Sequence, residues 1–181
     1  MNPFEQRVLL SSEECDKLIA QHIDFNTSVV YDNAQQPIDL ETVIKYRGLR
    51  KESVVDLSPE LKEMLLKKLS VFGINSIPSY NKVVRYDKGE ECKRHTDKGS
   101  DTITGSRYKT VIIILSDSSE YEGGRLIVEG EETFIANRVK GNVVIFDSVL
   151  EHYVEEVTNG TRLAQVIWLT KEDFNIKKDI L

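Results

Sequence analysis

The tripeptide His95-Thr96-Asp97 places an imidazole and a carboxylate at a spacing that suits a shared metal ion. In an extended segment, residues i and i+2 project to the same side of the chain. The chain contains only three histidines, and His152 follows an apolar run, Val143–Phe146, that is typical of a strand. His152 is therefore expected at the mouth of a sheet, where it can complete a set of three metal ligands.

Two histidines and one carboxylate around a metal ion, with three coordination positions left open, form the facial triad of non-haem Fe(II) oxygenases. Arg162 supports this interpretation because it lies ten residues after His152 and shares the apolar face of a predicted strand. A buried arginine needs an anionic partner, since an unpaired buried charge is strongly destabilising. A dicarboxylate cosubstrate, held in a bidentate ion pair, would supply that partner.

The elements that must position these side chains follow from hydrophobic periodicity and turn residues. A capping box at residues 11–14 opens a first helix that ends near His22, and Ser58-Pro59 opens a second that ends near Gly73. From residue 80 onward, short runs rich in β-branched and aromatic residues indicate strands. The predicted strands are Tyr80–Tyr86, Tyr108–Leu115, Gly124–Val128, Glu132–Asn137, Val143–Phe146, Tyr153–Val157 and Arg162–Leu169.

This order of elements indicates an α+β fold with a jelly-roll or barrel-like sheet. The 181 residues fit one domain, with a helical N-terminal part at about 1–75 and a β core at about 80–170. Asn26–Leu40 and Lys98–Arg107 are expected to be loops.

The dipeptide Asn159-Gly160 normally closes a two-residue hairpin. Such a hairpin would turn His152 and Arg162 to opposite faces of one sheet. The dipeptide is therefore expected to be a bend between two facing sheets.

The composition limits the classes of protein that the chain can belong to. A formal charge of -6 disfavours nucleic-acid binding, and the longest apolar run, Val111–Leu115, is too short to cross a bilayer. Two cysteines, Cys15 and Cys92, cannot build a disulfide framework, and the first residues lack the pattern of a signal peptide. We expect a cytoplasmic protein, a monomer or weak homodimer, with no nucleic-acid or membrane partner.

The motifs between residues 80 and 170 resemble the prolyl 4-hydroxylase branch of the 2-oxoglutarate/Fe(II) dioxygenases. VLLSSEECDKLI also resembles the opening helix of that family. The resemblance implies a double-stranded β-helix with N-terminal helices packed on one sheet and iron at the mouth of the barrel. The matching blocks, in family order, are RYDKGEECKRHTD, YKTVIIILSD, YEGGRLIVEG, KGNVVIFDS and EHYVEEVTNGTRLAQVIWL.

The resemblance also implies roles for individual residues. It implies that Fe(II) is bound by His95, Asp97 and His152, and that Arg162 binds the distal carboxylate of 2-oxoglutarate. It further implies O2 as the second cosubstrate and ascorbate as a candidate reductant.

Two further positions in the cosubstrate pocket follow from the family pattern. Tyr86 corresponds to a tyrosine that can hydrogen-bond the cosubstrate or the substrate. A second tyrosine often helps the arginine to hold the distal carboxylate, but here that position is Ile114. Either another hydroxyl, such as that of Thr110, replaces it, or the clamp is weaker.

The predicted function is hydroxylation of a C–H bond, most simply in a prolyl residue of a peptide or protein. Asp97 favours hydroxylation, because halogenating relatives carry a small residue at that position. A free amino acid or another small molecule is the alternative substrate, and a non-catalytic iron or 2-oxoglutarate sensor is the alternative class. DNA-demethylating relatives carry a second arginine beyond the clamp, which the segment Leu163–Trp168 lacks.

Substrate selectivity is expected to reside in the loops. Asp101 and Arg107 belong to the loop Lys98–Arg107, which is expected to close over the bound substrate. Cys92 is interpreted as a small buried residue, and Trp168 is expected to pack inside the barrel.

Overall fold

The computed structural model describes residues 3–22, 24–28, 37–78 and 81–174, which form three α-helices and twelve β-strands. None of the described helices is both long and apolar enough to cross a membrane. The helices are α1 (Ser12–Ile19), α2 (Leu40–Arg47) and α3 (Pro59–Leu69). The strands are β1 (Phe4–Val8), β2 (Asn26–Thr27), β3 (Lys51–Val55), β4 (Asn81–Asp87), β5 (Cys92–His95), β6 (Lys109–Ile114), β7 (Tyr121–Gly123), β8 (Leu126–Glu129), β9 (Thr133–Ile135), β10 (Asn142–Asp147), β11 (Glu151–Val154) and β12 (Val157–Leu169).

Helices α1 and α3 begin where the sequence predicts. The Ser11 hydroxyl accepts a hydrogen bond from the Glu14 amide at 3.2 Å, and the Glu14 carboxylate accepts one from the Ser11 amide at 2.8 Å. Ser58 caps α3, and Pro59 is its first residue. Helix α2 was not predicted, because only Val43 among its residues is buried and its apolar periodicity is therefore weak.

Two antiparallel sheets face each other. The larger sheet has the strand order β1-β10-β6-β12-β4-β3-β2, with β7 pairing to β12, and the smaller sheet has the order β5-β11-β8-β9. Together they form the jelly roll that the sequence predicts.

The larger sheet is buried on both faces. Val111 of β6 packs in a cluster with Leu65 of α3, on the outer face of the sheet. The next residue, Ile112, packs with Val128 of the smaller sheet, in the space between the two sheets. This double burial explains the unbroken apolar run in β6, and it confirms that N-terminal helices cover one sheet.

Several strands were not predicted. The N-terminal part, expected to be helical, also contributes β1, β2 and β3 to the larger sheet. Strand β1 pairs with β10, so that Phe4 lies opposite Phe146 near the other end of the chain. Such pairing depends on tertiary structure, and a short local pattern does not reveal it. The short strands β5 and β7 were missed for the same reason.

The bend predicted at Asn159-Gly160 lies elsewhere. Strand β11 belongs to the smaller sheet and β12 to the larger, so the chain crosses between the sheets at residues 155–156. Gly160 lies inside β12 with φ at 73°, and a Cβ atom there would lie 2.0 Å from the carbonyl oxygen of Glu120. The glycine is therefore required for close pairing with β7. The prediction that β11 and β12 do not form a tight hairpin is confirmed.

The two predicted loops are described to different extents. Asn26–Leu40 contains β2 at one end and the first residue of α2 at the other, while residues 29–36 lie outside the described residues. Lys98–Arg107 is a loop that contains one 3-10 turn at Thr104–Ser106. Tyr80, the first residue of a predicted strand, also lies outside the described residues.

The packing of α3 on the larger sheet generates a test of stability. Leu65 is fully buried, so Leu65→Ala should lower the free energy of unfolding by about 2–5 kcal/mol, through lost transfer energy and the cavity left behind. Chemical denaturation followed by circular dichroism measures this change. Leu40→Ala is the matched control, because Leu40 is 53% exposed and its truncation should change stability by about 0.5 kcal/mol or less. Equal effects of the two substitutions would contradict the packing described here.

Candidate active site

His95 and His152 lie directly opposite each other on neighbouring antiparallel strands. His95 ends β5, His152 is the second residue of β11, and the two are paired in the register of the smaller sheet. Directly opposite residues point to the same face of a sheet, so the two imidazoles meet, with ring centroids 4.3 Å apart. Asp97 follows β5 by two residues and is held beside the pair by its amide, which donates to the Ser148 carbonyl at 3.1 Å.

The three side chains form a cluster that could hold one metal ion. Asp97 Oδ1 lies 3.5 Å from His95 Nε2, and Asp97 Oδ2 lies 3.4 Å from His152 Nε2. One ligand atom from each residue falls within 4.8 Å of the others. Ligands at adjacent corners of an octahedral site lie about 3 Å apart, so this cluster is close to one face of such a site.

Hydrogen bonds outside the cluster orient each of its members. His95 Nδ1 lies 2.8 Å from the Lys93 carbonyl and His152 Nδ1 lies 3.1 Å from the Leu150 carbonyl. Since a carbonyl only accepts, each Nδ1 carries a proton, and Nε2 is the nitrogen of each ring that faces the cluster and can bind a metal ion.

The carboxylate of Asp97 has its own support. The Thr110 hydroxyl donates to Asp97 Oδ2 at 2.7 Å and lies 3.0 Å from the Ser148 hydroxyl. Both hydroxyl-bearing residues are fully buried, so this small network has little access to solvent. The network holds the carboxylate in one orientation.

The electrostatics of the cluster favour an ionised carboxylate between two imidazoles. Burial by itself would raise the pKa of Asp97, but the hydrogen bond from His95 and the neighbouring His152 hold it well below its usual range. Burial opposes protonation of His95, yet hydrogen bonds with Asp97 and Cys92 outweigh it and raise its pKa to about 10. A metal ion that binds His95 must therefore displace a proton. Burial lowers the pKa of His152.

Arg162 lies in the same cavity as the three clustered side chains. It is 1% exposed, and its neighbour in the register of β4 and β12 is Tyr86, whose ring centroid lies 5.2 Å from the Arg162 guanidinium carbon. Among the described residues, Arg162 Nε has no hydrogen-bond partner. A buried guanidinium with an unsatisfied donor fits an anionic ligand such as a carboxylate.

Tyr86 lines this cavity, as the sequence predicts. Burial, together with the neighbouring Cys92, raises the pKa of its phenol above the usual range, so the hydroxyl is a neutral hydrogen-bonding group. Cys92 is itself buried, and its sulfur lies 3.7 Å from His95 Nδ1, the nitrogen that faces away from the cluster. It is therefore a neighbour of the cluster rather than a fourth member.

Thr110 does not take the place expected for it beside Arg162. In the sheet it lies opposite Trp168, six residues along β12 from Arg162, which corresponds to a backbone distance of about 20 Å. Its hydroxyl is engaged by Asp97. Of the two alternatives, replacement of the missing tyrosine by Thr110 or a weaker clamp, this position of Thr110 favours the weaker clamp, since Ile114 also offers no hydroxyl.

The cavity opens into a larger cleft of about 1060 Å³ on the side of the Lys98–Arg107 loop. Asp101 and Arg107 both line this cleft, as expected of that loop. The Asp101 carboxylate accepts hydrogen bonds from the Ile103 and Thr104 amides and from the Thr104 hydroxyl, so it closes a turn. Arg107 donates to the Asp97 carbonyl at 3.0 Å and thereby ties the loop to the cluster.

Two residues at the mouth of the cavity were not anticipated. Trp168 was expected to pack inside the barrel, but it borders both the cavity and the cleft, between Lys82 at 4.5 Å and Arg107 at 3.7 Å from its ring centroid. Arg50 also borders both spaces. The sequence offered no signal for Arg50, because it precedes β3, far along the chain from the motifs.

Comparisons with known proteins agree with this geometry. The profile of the 2OG-Fe(II) oxygenase superfamily matches residues 81–170. A PKHD-type hydroxylase from Prochlorococcus marinus is 39% identical over 83 residues, which cover 45% of this chain and 37% of that protein. A PKHD-type hydroxylase from Gluconacetobacter diazotrophicus is 32% identical over 130 residues, which cover 62% of this chain and 55% of that protein. The chain thus spans about half the length of these curated relatives.

Solved structures with the same fold cover most of both chains. A viral collagen prolyl hydroxylase from Paramecium Bursaria Chlorella virus-1 superposes with a TM-score of 0.65 at 19% identity, over 92% of this chain and 95% of that one. A prolyl hydroxylase from Trichoplax adhaerens superposes with a TM-score of 0.67 at 17% identity, over 95% of this chain and 85% of that one. The predicted α+β jelly-roll fold is confirmed.

The chain belongs to the 2OG-Fe(II) oxygenase superfamily. The cofactors predicted from the sequence, Fe(II), 2-oxoglutarate and O2, are those of this family. Imidazole nitrogens and one carboxylate oxygen form a donor set that suits Fe(II), and the unsatisfied guanidinium of Arg162 suits a dicarboxylate.

The hydrogen bond from Thr110 to Asp97 generates a second test. Thr110→Val keeps the shape of the side chain but removes the donor, so the affinity for Fe(II) should fall about 10- to 100-fold. Competition with a chromophoric chelator under anaerobic conditions measures this affinity. Thr161→Val removes an equivalent hydroxyl that bonds Asp87 instead, and it should leave the affinity unchanged. Unaltered Fe(II) affinity in Thr110→Val would show that the hydroxyl does not orient the carboxylate.

Proposed function

We propose that this protein is a hydroxylase that requires Fe(II), 2-oxoglutarate and O2 and that acts on a prolyl residue in a peptide or protein. The observation that carries the proposal is the meeting of His95, Asp97, His152 and Arg162 in one buried cavity. The curated relatives named PKHD-type hydroxylases support the same activity.

In this proposal, His95, Asp97 and His152 would hold the iron at the edge of the cavity. When bound, the iron together with 2-oxoglutarate and O2 supplies the oxidising power to insert one oxygen atom into a C–H bond. The two imidazoles act as neutral ligands, because their Nδ1 protons are held by backbone carbonyls. Asp97 supplies the single negative charge.

Arg162 positions the cosubstrate from the opposite end of the cavity. Its guanidinium pairs with the distal carboxylate, and Tyr86 packs against the guanidinium and offers a neutral hydroxyl. Apolar side chains line the space between, which excludes water from the reacting groups. These side chains are Val84, Ile112, Leu126, Val154 and Ala164.

The open cleft next to the cavity supports a peptide substrate. Its volume of about 1060 Å³ exceeds that of most small-molecule pockets, and it continues past the metal ligands along the Lys98–Arg107 loop. Closure of this loop over the substrate stays a prediction, as does the cytoplasmic location.

The iron ligands generate a third test. His152→Ala removes one of three ligands, so the protein should lose bound Fe(II) during dialysis and should no longer form succinate from 2-oxoglutarate. Metal analysis and a succinate assay measure the two effects. His22→Gln is the control, because this buried histidine belongs to the region after α1 and does not line the cavity. Retention of iron and turnover in His152→Ala would exclude the proposed ligand set.

The cosubstrate clamp generates a fourth test. Arg162→Ala should weaken 2-oxoglutarate binding by ~2–5 kcal/mol, because a buried charge partner is lost, while Fe(II) binding should persist. Calorimetric titration of the Mn(II)-loaded protein with 2-oxoglutarate measures the affinity. Arg125→Ala is the matched control, since Arg125 pairs with Glu155 at 2.6 Å on the surface. If Arg162→Ala binds 2-oxoglutarate as tightly as Arg125→Ala does, Arg162 has a structural role and does not bind the cosubstrate.

A peptide-library screen tests the function as a whole. Libraries with proline at a fixed position are incubated with Fe(II), 2-oxoglutarate and ascorbate, and mass spectrometry detects peptides that gain one oxygen atom. Free amino acids form a separate arm. Hydroxylation of prolyl peptides supports the proposal. Hydroxylation of free amino acids alone would change the assigned substrate class from peptides to free amino acids. No substrate-dependent succinate in any arm would favour a sensor.

A further inference from the structure

Arg50 lies at the junction between the buried cavity and the open cleft. It borders the cavity together with His95 and Asp97, and it borders the cleft together with Arg107. The proposed function assigns no role to Arg50. Its roles fall on the three metal ligands and on Arg162. A cation at this junction faces whatever enters the cleft and approaches the metal ligands.

The backbone around Arg50 is held on two sides. The Arg50 carbonyl accepts from the Ser28 amide at 3.0 Å, and the Leu49 carbonyl accepts from the Glu91 amide at 3.1 Å. Gly48 has φ at 77°, and a Cβ atom there would lie 2.5 Å from the Glu91 carbonyl oxygen, so this close approach requires glycine. Arg50 is therefore presented to the cavity from a fixed backbone.

Two other cations at the cleft, Lys82 and Arg107, are already engaged. Lys82 pairs with Glu52 at 3.0 Å and lies over the Trp168 ring. Arg107 donates to the Asp97 carbonyl, and its guanidinium carbon lies 3.7 Å from the centroid of the Trp168 ring. These contacts give both side chains a defined structural role.

Arg50 differs from these cations. Within the described ranges, no carboxylate lies at ion-pair distance from it, and its hydrogen bond runs from Nη1 to the Arg47 carbonyl at 3.3 Å. Glu52 and Asp97 both act on its charge, but Glu52 is held by Lys82 and by the Ser28 hydroxyl, and Asp97 belongs to the cluster with His95 and His152. Half-buried and without an anion, the guanidinium can accept a carboxylate.

With Fe(II) and 2-oxoglutarate bound, the formal charges at the cavity would sum to one positive charge. The divalent iron and Arg162 balance the negative charges of Asp97 and of 2-oxoglutarate, which is a dianion. Lys82 and Glu52 balance each other. Arg50 is then the remaining charge at the cavity, and it is balanced by a ligand that carries one further negative charge.

We propose that Arg50 binds a carboxylate of the substrate and thereby selects substrates that carry an acidic group close to the hydroxylated carbon. This inference rests on the proposed function, because it assumes that the cavity holds iron and 2-oxoglutarate. The carboxylate belongs either to an acidic residue beside the target in a peptide or to the main-chain carboxylate of a free amino acid. Both sources present the same chemistry to the guanidinium.

Pairs of ligands that differ in one charge test this assignment. The peptide pair is Gly-Pro-Asp and Gly-Pro-Asn, capped at both ends, and the amino-acid pair is L-proline and L-prolinamide. Each is titrated calorimetrically into the Mn(II)-loaded protein saturated with 2-oxoglutarate, so that no turnover occurs. In at least one pair, the acid should bind at least tenfold more tightly than its amide. The pair that shows this preference identifies the source of the carboxylate.

Arg50→Gln should abolish the preference while the affinity for 2-oxoglutarate changes less than twofold. Arg47→Gln is the matched control, since Arg47 borders the cleft but not the cavity, and it should keep the preference. Equal binding or no binding of acid and amide in both pairs by the wild-type protein overturns the proposal, as does a preference that survives in Arg50→Gln. A tenfold loss of 2-oxoglutarate affinity in that variant also overturns it, because Arg50 would then belong to the cosubstrate. A failure of the proposed function is detected by a separate assay: the Fe(II)-loaded protein would then form no succinate from 2-oxoglutarate.

Discussion

The pairing of β5 with β11 is the constraint on which the site depends. It sets His95 opposite His152 across a single pair of strands, so that a carboxylate two residues farther along can reach both imidazoles. A shift of one residue in this register would turn one imidazole to the other face of the sheet. The smaller sheet therefore positions the two histidines, and the segment that follows β5 supplies Asp97 as the third ligand.

The larger sheet provides the opposite wall and the charge that completes the site. Arg162 enters the space between the sheets from β12, which is paired on one side with β4 and on the other with β6. The helices pack on the outer face of this sheet. The distance between the metal ligands and the Arg162 guanidinium is therefore set by how the two sheets pack. This distance determines how long a cosubstrate can be if it is to contact both.

Positive charge in and beside the cavity is the basis for proposing anionic ligands. Arg162 is enclosed without an anionic partner among the described residues, whereas Arg50, at the entrance, is half-buried and donates a hydrogen bond to the Arg47 carbonyl. Unpaired cations in an apolar environment destabilise the folded protein, so they are tolerated where a ligand compensates them. On this reasoning we propose Arg162 as the partner of the cosubstrate and Arg50 as the partner of the substrate.

The sequence by itself predicted the cluster of His95, Asp97 and His152, the place of Arg162 in the same cavity, the capped helices α1 and α3 and most strands of the β core. These depend on local patterns: the two-residue spacing at His95 and Asp97, the capping residues Ser11 and Ser58, and apolar runs such as that of β6. The tertiary structure decided the rest. Strand β1 exists because β10 offers it a free edge, Thr110 bonds Asp97 because of its register opposite Trp168, and Arg50 reaches the cavity through the packing of β3 on β4. Each of these contacts joins residues that are distant in the chain, and no local pattern of residue types encodes them.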